Sequence, residues 1–236
     1  MNKHRVQISH LKMAYDISQR ELDEYYELVR KYTDTCDSAH DMSHLQHVAY
    51  EANKIADTLF APNTFQTLIY ACSLGHELLD QKQACYDETE LLSLLKTIFS
   101  SDRVASLITF IAKTVSYSKV SKWKRDGHDF TKDACPFWIL IRTCVSDADM
   151  LDGVGRDTDE AENTCTGLNR MLDYRRSNVA LMNDKPLLIK EINQHLDDKF
   201  RRVLKDDHLI TKYARKKYAV WLEKLESAFN EFAAKA

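Results

Sequence analysis

Apolar residues recur at helical spacing along nearly the whole chain of 236 residues. Only five glycines and three prolines interrupt this pattern, which is too few for an architecture of many short strands and turns. The sequence therefore predicts an all-α fold. A chain of this length can enclose a dry core and a cleft, so we expect one helical-bundle domain over residues 1–236.

Capping and breaking residues set the predicted bounds of the helices. A proline in the first turn of a helix loses no internal hydrogen bond, so Pro136 is expected near a helix start. Asp87 and Glu90 have the spacing of an N-terminal capping pair, and the polar stretch 116–133 is the clearest predicted loop. Helices are predicted over about 9–32, 41–59 and 64–80, over a short segment after 87, and over about 101–115, 136–149, 187–205 and 208–233.

Charge and cysteine usage indicate which partners and which cellular compartment to expect. The chain carries 33 Lys and Arg residues against 36 Asp and Glu residues, so a net charge of −3 offers no broad attraction for a nucleic-acid polymer or a membrane surface. Its six cysteines form no C-x-x-C pair and are expected to be free thiols, which favours a reducing compartment. No signal peptide or membrane span is visible. We expect a soluble, cytoplasmic protein that could form a homodimer.

Three of the nine histidines stand close together. His40, His44 and His47 occupy positions i, i+4 and i+7, close to one face of a predicted helix. Neutral imidazole is the commonest protein ligand for first-row transition metals, and neighbouring carboxylates often orient it. A single histidine of this kind more often caps or packs, but three together favour a metal site.

A second polar group ends an otherwise apolar helix. His76 and Glu77 follow Gly75, and Asp80 lies one turn beyond His76. Polar side chains that emerge from such a helix need partners. Adjacent side chains on a helix diverge by about 100°, so His76 and Glu77 can share one metal only if it lies over the edge between them. Gly75 would let another group approach closely, and an ordinary charged helix end is the alternative.

A third group contains three carboxylates behind an apolar helix: Asp147, Asp149 and Asp152. Asp149 and Asp152 share a helix face, whereas Asp147 points elsewhere. Like charges placed together are unfavourable unless a cation or a ring of cationic side chains compensates them. A metal site and a solvated helix end are both compatible with this pattern.

In combination, the three groups resemble the HD superfamily, whose signature is a histidine, a His-Asp doublet and a distant aspartate. The similar segments are H-D-M-S-H-L-Q-H-V, L-G-H-E-L-L-D-Q-K, V-S-Y-S and D-A-D-M-L-D-G-V-G, and the resemblance extends from about residue 38 to 225. The small single-domain nucleotide pyrophosphohydrolases are the most similar branch. The resemblance implies an HD-type helical bundle with a motif-bearing core over about 38–155 and helices over about 156–236 packed on it.

By this resemblance the chain is expected to be a metal-dependent phosphohydrolase that cleaves nucleotides, with (deoxy)nucleoside triphosphates cut to monophosphate and pyrophosphate. The implied metal ligands are His44, His76, Glu77 and Asp149. Manganese is the first choice of metal, with Fe²⁺, Co²⁺, Zn²⁺ or Mg²⁺ as alternatives. Asp80 is the expected general base, and Glu77 is a further catalytic candidate. The candidate substrate-binding residues are Lys82, Lys119, Lys122, Asp152, His195 and Lys199.

The doublet departs from the family pattern because Glu77 stands where aspartate is usual. Its carboxylate extends one methylene farther, so the metal, the helix or the binding mode must adjust. Two alternatives follow. A damaged site would leave a pseudoenzyme that only binds a nucleotide or a protein partner. The segment His76-Glu77-x-x-Asp80 also differs by one residue from the H-E-x-x-H motif of zinc peptidases.

Overall fold

The computed structural model describes residues 13–34, 36, 40–60, 63–79, 86–127, 132, 134–159 and 165–235. Every regular element within these ranges is helical, which confirms the predicted all-α fold. In the same ranges, no helix combines the length and the apolar character that a membrane span requires. The chain divides into two compact units, Met1–Ser146 and Asp147–Ala236. The single domain expected from the sequence stays a prediction.

The first unit is centred on an apolar helix. Helix α3 packs against α1, α2 and α5, and all but three of its residues are buried. A helix that is apolar on nearly all sides is stable only when other elements cover it. In chain order the helices are α1 (Gln19–Thr33), α2 (Met42–Leu59), α3 (Gln66–Gly75), α4 (Glu88–Ile98), α5 (Asp102–Thr114), α6 (Tyr117–Arg125) and α7 (Pro136–Val154), which continues into the second unit.

The second unit packs short helices against one long helix. Helix α12 contacts α8 and α11, and its buried face includes Tyr218, Trp221 and Leu225. A 3₁₀ turn (Asp157–Asp159) follows α7, and a π-helical turn (Leu196–Phe200) joins α10 to α11. The helices are α8 (Thr166–Asp173), α9 (Val179–Asn183), α10 (Lys185–His195), α11 (Arg201–Lys205) and α12 (Lys212–Ala234).

Several boundary predictions are confirmed, and others need correction: helix α1 begins at Gln19, the helix from Pro136 continues to Val154, and α8 and α9 were not predicted. Asp87 and Glu90 form the predicted capping box, and α7 begins at Pro136. Helix α3 ends at Gly75, earlier than predicted, and the π-helical turn interrupts the predicted helix 187–205. The predicted loop 116–133 contains α6, which buries only Val120, so its hydrophobic periodicity is barely visible in the sequence.

Glu21 connects α1 to a distant part of the first unit. Its carboxylate accepts hydrogen bonds from the Ser18 amide at 2.8 Å, from the Ser18 hydroxyl at 2.6 Å and from the Ser100 amide at 2.7 Å. Burial alone would raise the pKa of Glu21, but these hydrogen bonds lower it from 4.5 to about 2. The ionised carboxylate therefore caps α1 and holds it against the start of α5.

We expect Glu21→Gln to lower the free energy of unfolding by about 1–2 kcal/mol at pH 7, because it weakens hydrogen bonds to a charged acceptor. The pKa of Glu21 is lower in the folded state, so its stabilisation is complete above pH 4.5 and is lost as the pH falls toward 2. Urea unfolding at several pH values measures both effects.

Glu27→Gln is the matched control. Glu27 is exposed on the same helix and pairs with its neighbour Arg30 at 2.9 Å, an interaction of small net value at a surface. Equal losses of stability in the two variants, or a Glu21→Gln loss that persists at pH 2, would contradict the proposed role of Glu21.

Candidate metal centre

Helix capping places His44 in the first turn of α2. Asp41 is the N-cap residue, and its side chain accepts a hydrogen bond from the His44 amide at 2.9 Å. The His44 side chain is buried, and its Nε2 atom lies 3.2 Å from Nε2 of His76. The two imidazole rings meet nearly edge to face, at 63°. The Nε2 atoms of the two rings therefore point toward the same position.

His76 follows the last residue of α3, as its C-cap. Its Nδ1 atom lies 2.6 Å from the Ser73 main-chain oxygen. A carbonyl oxygen can only accept, so Nδ1 carries the proton and donates it. In the neutral ring the Nε2 lone pair is then available, as for a metal-ligating histidine that is oriented through its other nitrogen.

Glu77 adds a carboxylate to the two imidazoles. Its Oε1 atom lies 3.3 Å from Nε2 of His76 and 3.6 Å from Nε2 of His44. The residue is only 6% exposed. Burial alone would raise the pKa of Glu77, but the two imidazole rings hold it well below its usual range, so the carboxyl is ionised.

These distances suit a divalent cation. Ligand bonds of about 2.0–2.2 Å in a tetrahedral or octahedral arrangement separate neighbouring ligand atoms by about 3.0–3.6 Å. The three separations among His44, His76 and Glu77 are 3.2, 3.3 and 3.6 Å. One potential ligand atom from each of these residues and from Asp149 lies within 4.8 Å of the others. The residues present therefore fit a metal of the predicted kind.

The other two carboxylates of the third predicted group have partners in the second unit. Asp147 accepts hydrogen bonds from the main-chain amides of Ile210 at 3.0 Å and Thr211 at 2.8 Å, and from the Thr211 hydroxyl at 2.7 Å. It thereby fixes the start of α12. Asp152 is fully buried and pairs with Arg156 at 2.8 Å and with Arg170. Both carboxylates are thus engaged by groups that stabilise the fold.

The structure gives different surroundings to the predicted substrate-binding residues. Lys119 donates from Nζ to the Ala112 carbonyl at 2.7 Å, while Lys122 is exposed on α6. His195 and Lys199 lie against the ring of Phe200. Asp80 and Lys82 lie outside the described residues. The predicted roles of these residues in binding and catalysis stay predictions.

The other two histidines of the first predicted group are not in the set of potential ligands. His40 lies near His44, with their ring centroids 6.3 Å apart, and His47 lies near Tyr50 at 6.2 Å. Both are partly exposed, unlike His44.

A buried tyrosine that the sequence does not single out contacts the main chain at Glu77. The Tyr32 hydroxyl donates to the Glu77 main-chain oxygen at 2.9 Å. A buried tyrosine usually finds such a partner, and the spacing of Tyr25 and Tyr32 on α1 indicates a shared buried face. No feature of the sequence indicates which carbonyl, 45 residues away, would accept the bond.

Packing explains the glycine before the doublet. A Cβ atom at Gly75 would overlap the Tyr25 hydroxyl and lie 2.7 Å from Cγ2 of Ile108. Gly75 therefore permits α1 and α5 to approach α3 closely.

The fold is shared with solved structures of low sequence identity. No protein-family model and no curated protein matches the chain. The crystal structure of Bacillus subtilis YpgQ in complex with ADP gives a TM-score of 0.61 at 17% identity, covering 92% of this chain and 95% of that one. A crystal structure from Lactobacillus plantarum gives 0.60 at 18%, covering 93% and 98%. The chain therefore has the same helical fold as these two proteins.

Asp152→Ala should destabilise the protein, because it leaves the guanidinium groups of Arg156 and Arg170 without their shared carboxylate. Removing one partner of a buried ion pair costs about 3–5 kcal/mol. We expect a loss of this size in urea unfolding. Asp173→Ala is the control, because Asp173 forms an ion pair with the largely exposed Arg176. Full stability of Asp152→Ala would show that the two arginines do not depend on this carboxylate.

Proposed function

We propose that the protein is a metal-dependent phosphohydrolase of the HD superfamily that acts on nucleotides. The observation that carries the proposal is the convergence of His44 Nε2, His76 Nε2 and Glu77 Oε1 at mutual distances of 3.2–3.6 Å. The order of the motifs along the sequence and the fold shared with an ADP-bound protein support it. The specific reaction proposed is hydrolysis of (deoxy)nucleoside triphosphates to monophosphate and pyrophosphate.

His44, His76, Glu77 and Asp149 are the proposed ligands of one divalent cation. A shell of two imidazoles and two carboxylates suits Mn²⁺, our first choice, and also Fe²⁺, Co²⁺, Zn²⁺ or Mg²⁺. When bound, such a cation lowers the pKa of a coordinated water and offsets negative charge on a phosphoryl group. Two carboxylates would also neutralise its charge.

The chain's own residues prepare this site. The Ser73 carbonyl holds the proton of His76 on Nδ1, so the lone pair of the neutral ring is on Nε2, the atom that faces His44 and Glu77. Asp80 is proposed to accept a proton from the attacking water, a role that requires hydrogen-bond reach. Lys82, Lys119 and Lys122 are proposed to bind phosphate oxygens, because ammonium groups act as point charges for phosphate. His195 and Lys199 are proposed for the wall of the substrate site, whereas Asp152, also predicted there, is fully buried against Arg156 and Arg170.

The geometry argues against a zinc peptidase. In the H-E-x-x-H motif both histidines lie on one helix face, and the glutamate acts as a base without binding the metal. Here α3 ends at Gly75, so His76 and Glu77 lie beyond the helix, and Oε1 of Glu77 is at ligand distance from both imidazoles. A pseudoenzyme would keep the same ligands and is distinguished only by turnover.

We expect the purified protein to carry about one transition metal per chain, and we expect His44→Ala and Asp149→Ala to lose it. Elemental analysis measures the content, and chelation should lower the melting temperature, because the cation binds only the folded state. His195→Ala is the control and should retain the metal. Unchanged metal content in both ligand variants would overturn the site.

A nucleotide panel tests the activity itself. Phosphate and pyrophosphate released from ribo- and deoxynucleotides are quantified separately, with Mn²⁺ and after chelation. Metal-dependent pyrophosphate release supports the proposed reaction, and phosphate release alone supports a phosphatase of the same class. Metal and nucleotide binding without turnover would support the pseudoenzyme, and peptide cleavage without nucleotide turnover would support the peptidase.

Glu77→Asp should reduce turnover, because a carboxylate shortened by one methylene would withdraw from both imidazole nitrogens. A misplacement near 1 Å can cost about 10²-fold in rate. Glu77→Gln, which keeps the length and removes the charge, separates position from electrostatics. The measurement is turnover of the best nucleotide at saturating Mn²⁺. A clear gain by Glu77→Asp would instead identify a damaged His-Asp site.

A further inference from the structure

We infer that Tyr32 is a positioning residue of the metal centre, whose hydroxyl fixes the main-chain position from which Glu77 reaches the cation. The inference rests on the proposed metal site and goes beyond its ligands. Helix α1 precedes the segment 38–225 that resembles the HD superfamily, so the resemblance assigns Tyr32 no role.

The need for such a residue follows from where α3 ends. Its last residue is Gly75, and the following turn contains hydrogen bonds from the His76 amide to Ser73 at 3.5 Å and from the Leu78 amide to Gly75 at 3.2 Å. Glu77 therefore lies in a turn, where helical geometry does not fix its backbone. A glutamate side chain has three rotatable bonds, so the position of its carboxylate depends on both the turn and the rotamer.

Tyr32 is suited to fix this turn. The residue is 5% exposed, and its hydroxyl donates to the Glu77 carbonyl at 2.9 Å. The bond reaches the same residue whose carboxylate lies beside both imidazoles. Helix α1 is itself held in place, because it packs against α2, α3 and α4 and because Glu21 binds the Ser100 amide. The hydroxyl is thus presented by a fixed helix to a proposed ligand that lies beyond the end of α3.

Tyr25 provides an internal comparison. It is fully buried on the same helix, and its hydroxyl donates to the Ala71 carbonyl at 3.2 Å. Ala71 lies inside α3, where helical geometry already fixes the backbone. Removal of either hydroxyl deprives a buried carbonyl of one hydrogen bond, but only the bond from Tyr32 ends on a proposed metal ligand.

The test compares Tyr32→Phe with Tyr25→Phe. Each variant is freed of metal, its melting temperature is recorded, and its dissociation constant for Mn²⁺ is measured by calorimetry. We expect both to melt somewhat below the wild type. Tyr32→Phe should weaken Mn²⁺ binding about 10-fold, the usual size of an effect from a group that supports a metal ligand, whereas Tyr25→Phe should stay within about twofold. The visible absorption of bound Co²⁺ should change only in Tyr32→Phe.

A double-mutant cycle tests whether Tyr32 acts through Glu77. In a Glu77→Ala background the carboxylate is absent, so adding Tyr32→Phe should leave the remaining Mn²⁺ affinity unchanged. A general loosening of the fold would weaken binding in both backgrounds. Tyr32→Met is a second variant without a hydroxyl, for use if the phenylalanine variant does not purify.

The outcomes separate this inference from the proposed function. Mn²⁺ binding by the wild type that is lost in His44→Ala supports the metal site whatever the tyrosine variants do. With that binding present, equal affinities of Tyr32→Phe and the wild type would overturn the positioning role alone. Equal losses in Tyr32→Phe and Tyr25→Phe would overturn it as well. Absence of Mn²⁺ binding in the wild type would overturn both proposals.

Discussion

The burial of an ionised carboxylate beside two imidazole rings is the constraint on which the site depends. Glu77 is almost fully buried, and its negative charge requires a nearby positive charge that offsets the loss of hydration. Protons on His44 and His76 can supply this charge, and so can a divalent cation. Protons and metal then compete for the same nitrogen lone pairs, which links metal affinity to pH. The turn after α3, the Ser73 carbonyl and the Tyr32 hydroxyl all serve to present this carboxylate and these nitrogens to one point.

The two remaining aspartates of the D-A-D-M-L-D segment show how one sequence pattern can combine two kinds of role. Asp147 binds the amides that precede α12, and Asp152 binds two arginines. Both interactions stabilise the second unit and need no metal. Asp149 differs, because it belongs to the set of potential ligands and is partly exposed. Neighbouring carboxylates of one helix thus meet different partners because successive side chains point in different directions.

The sequence predicts the fold better than it predicts the contacts that support the site. Hydrophobic periodicity and capping residues predict the all-α class, the capping box at Asp87 and the helix start at Pro136, because these signals are local. Helix α6 escaped prediction because it buries a single residue, Val120. The sequence motifs indicate which residues could form the site. The hydrogen bond from Tyr32 to Glu77, in contrast, joins positions 45 residues apart and leaves no periodic signal in the sequence.

Gly75 makes the substitutions that α3 tolerates depend on those in α1. A side chain could enter position 75 only if Tyr25 withdrew its hydroxyl and Ile108 gave way, because both already occupy the space that a Cβ atom would need. Residues 25, 75 and 108 therefore form a coupled set, in which a substitution at one position alters what the other two tolerate. Homologues of this protein are expected to differ at these positions together. The substitution of Tyr25 is expected to precede that of Gly75.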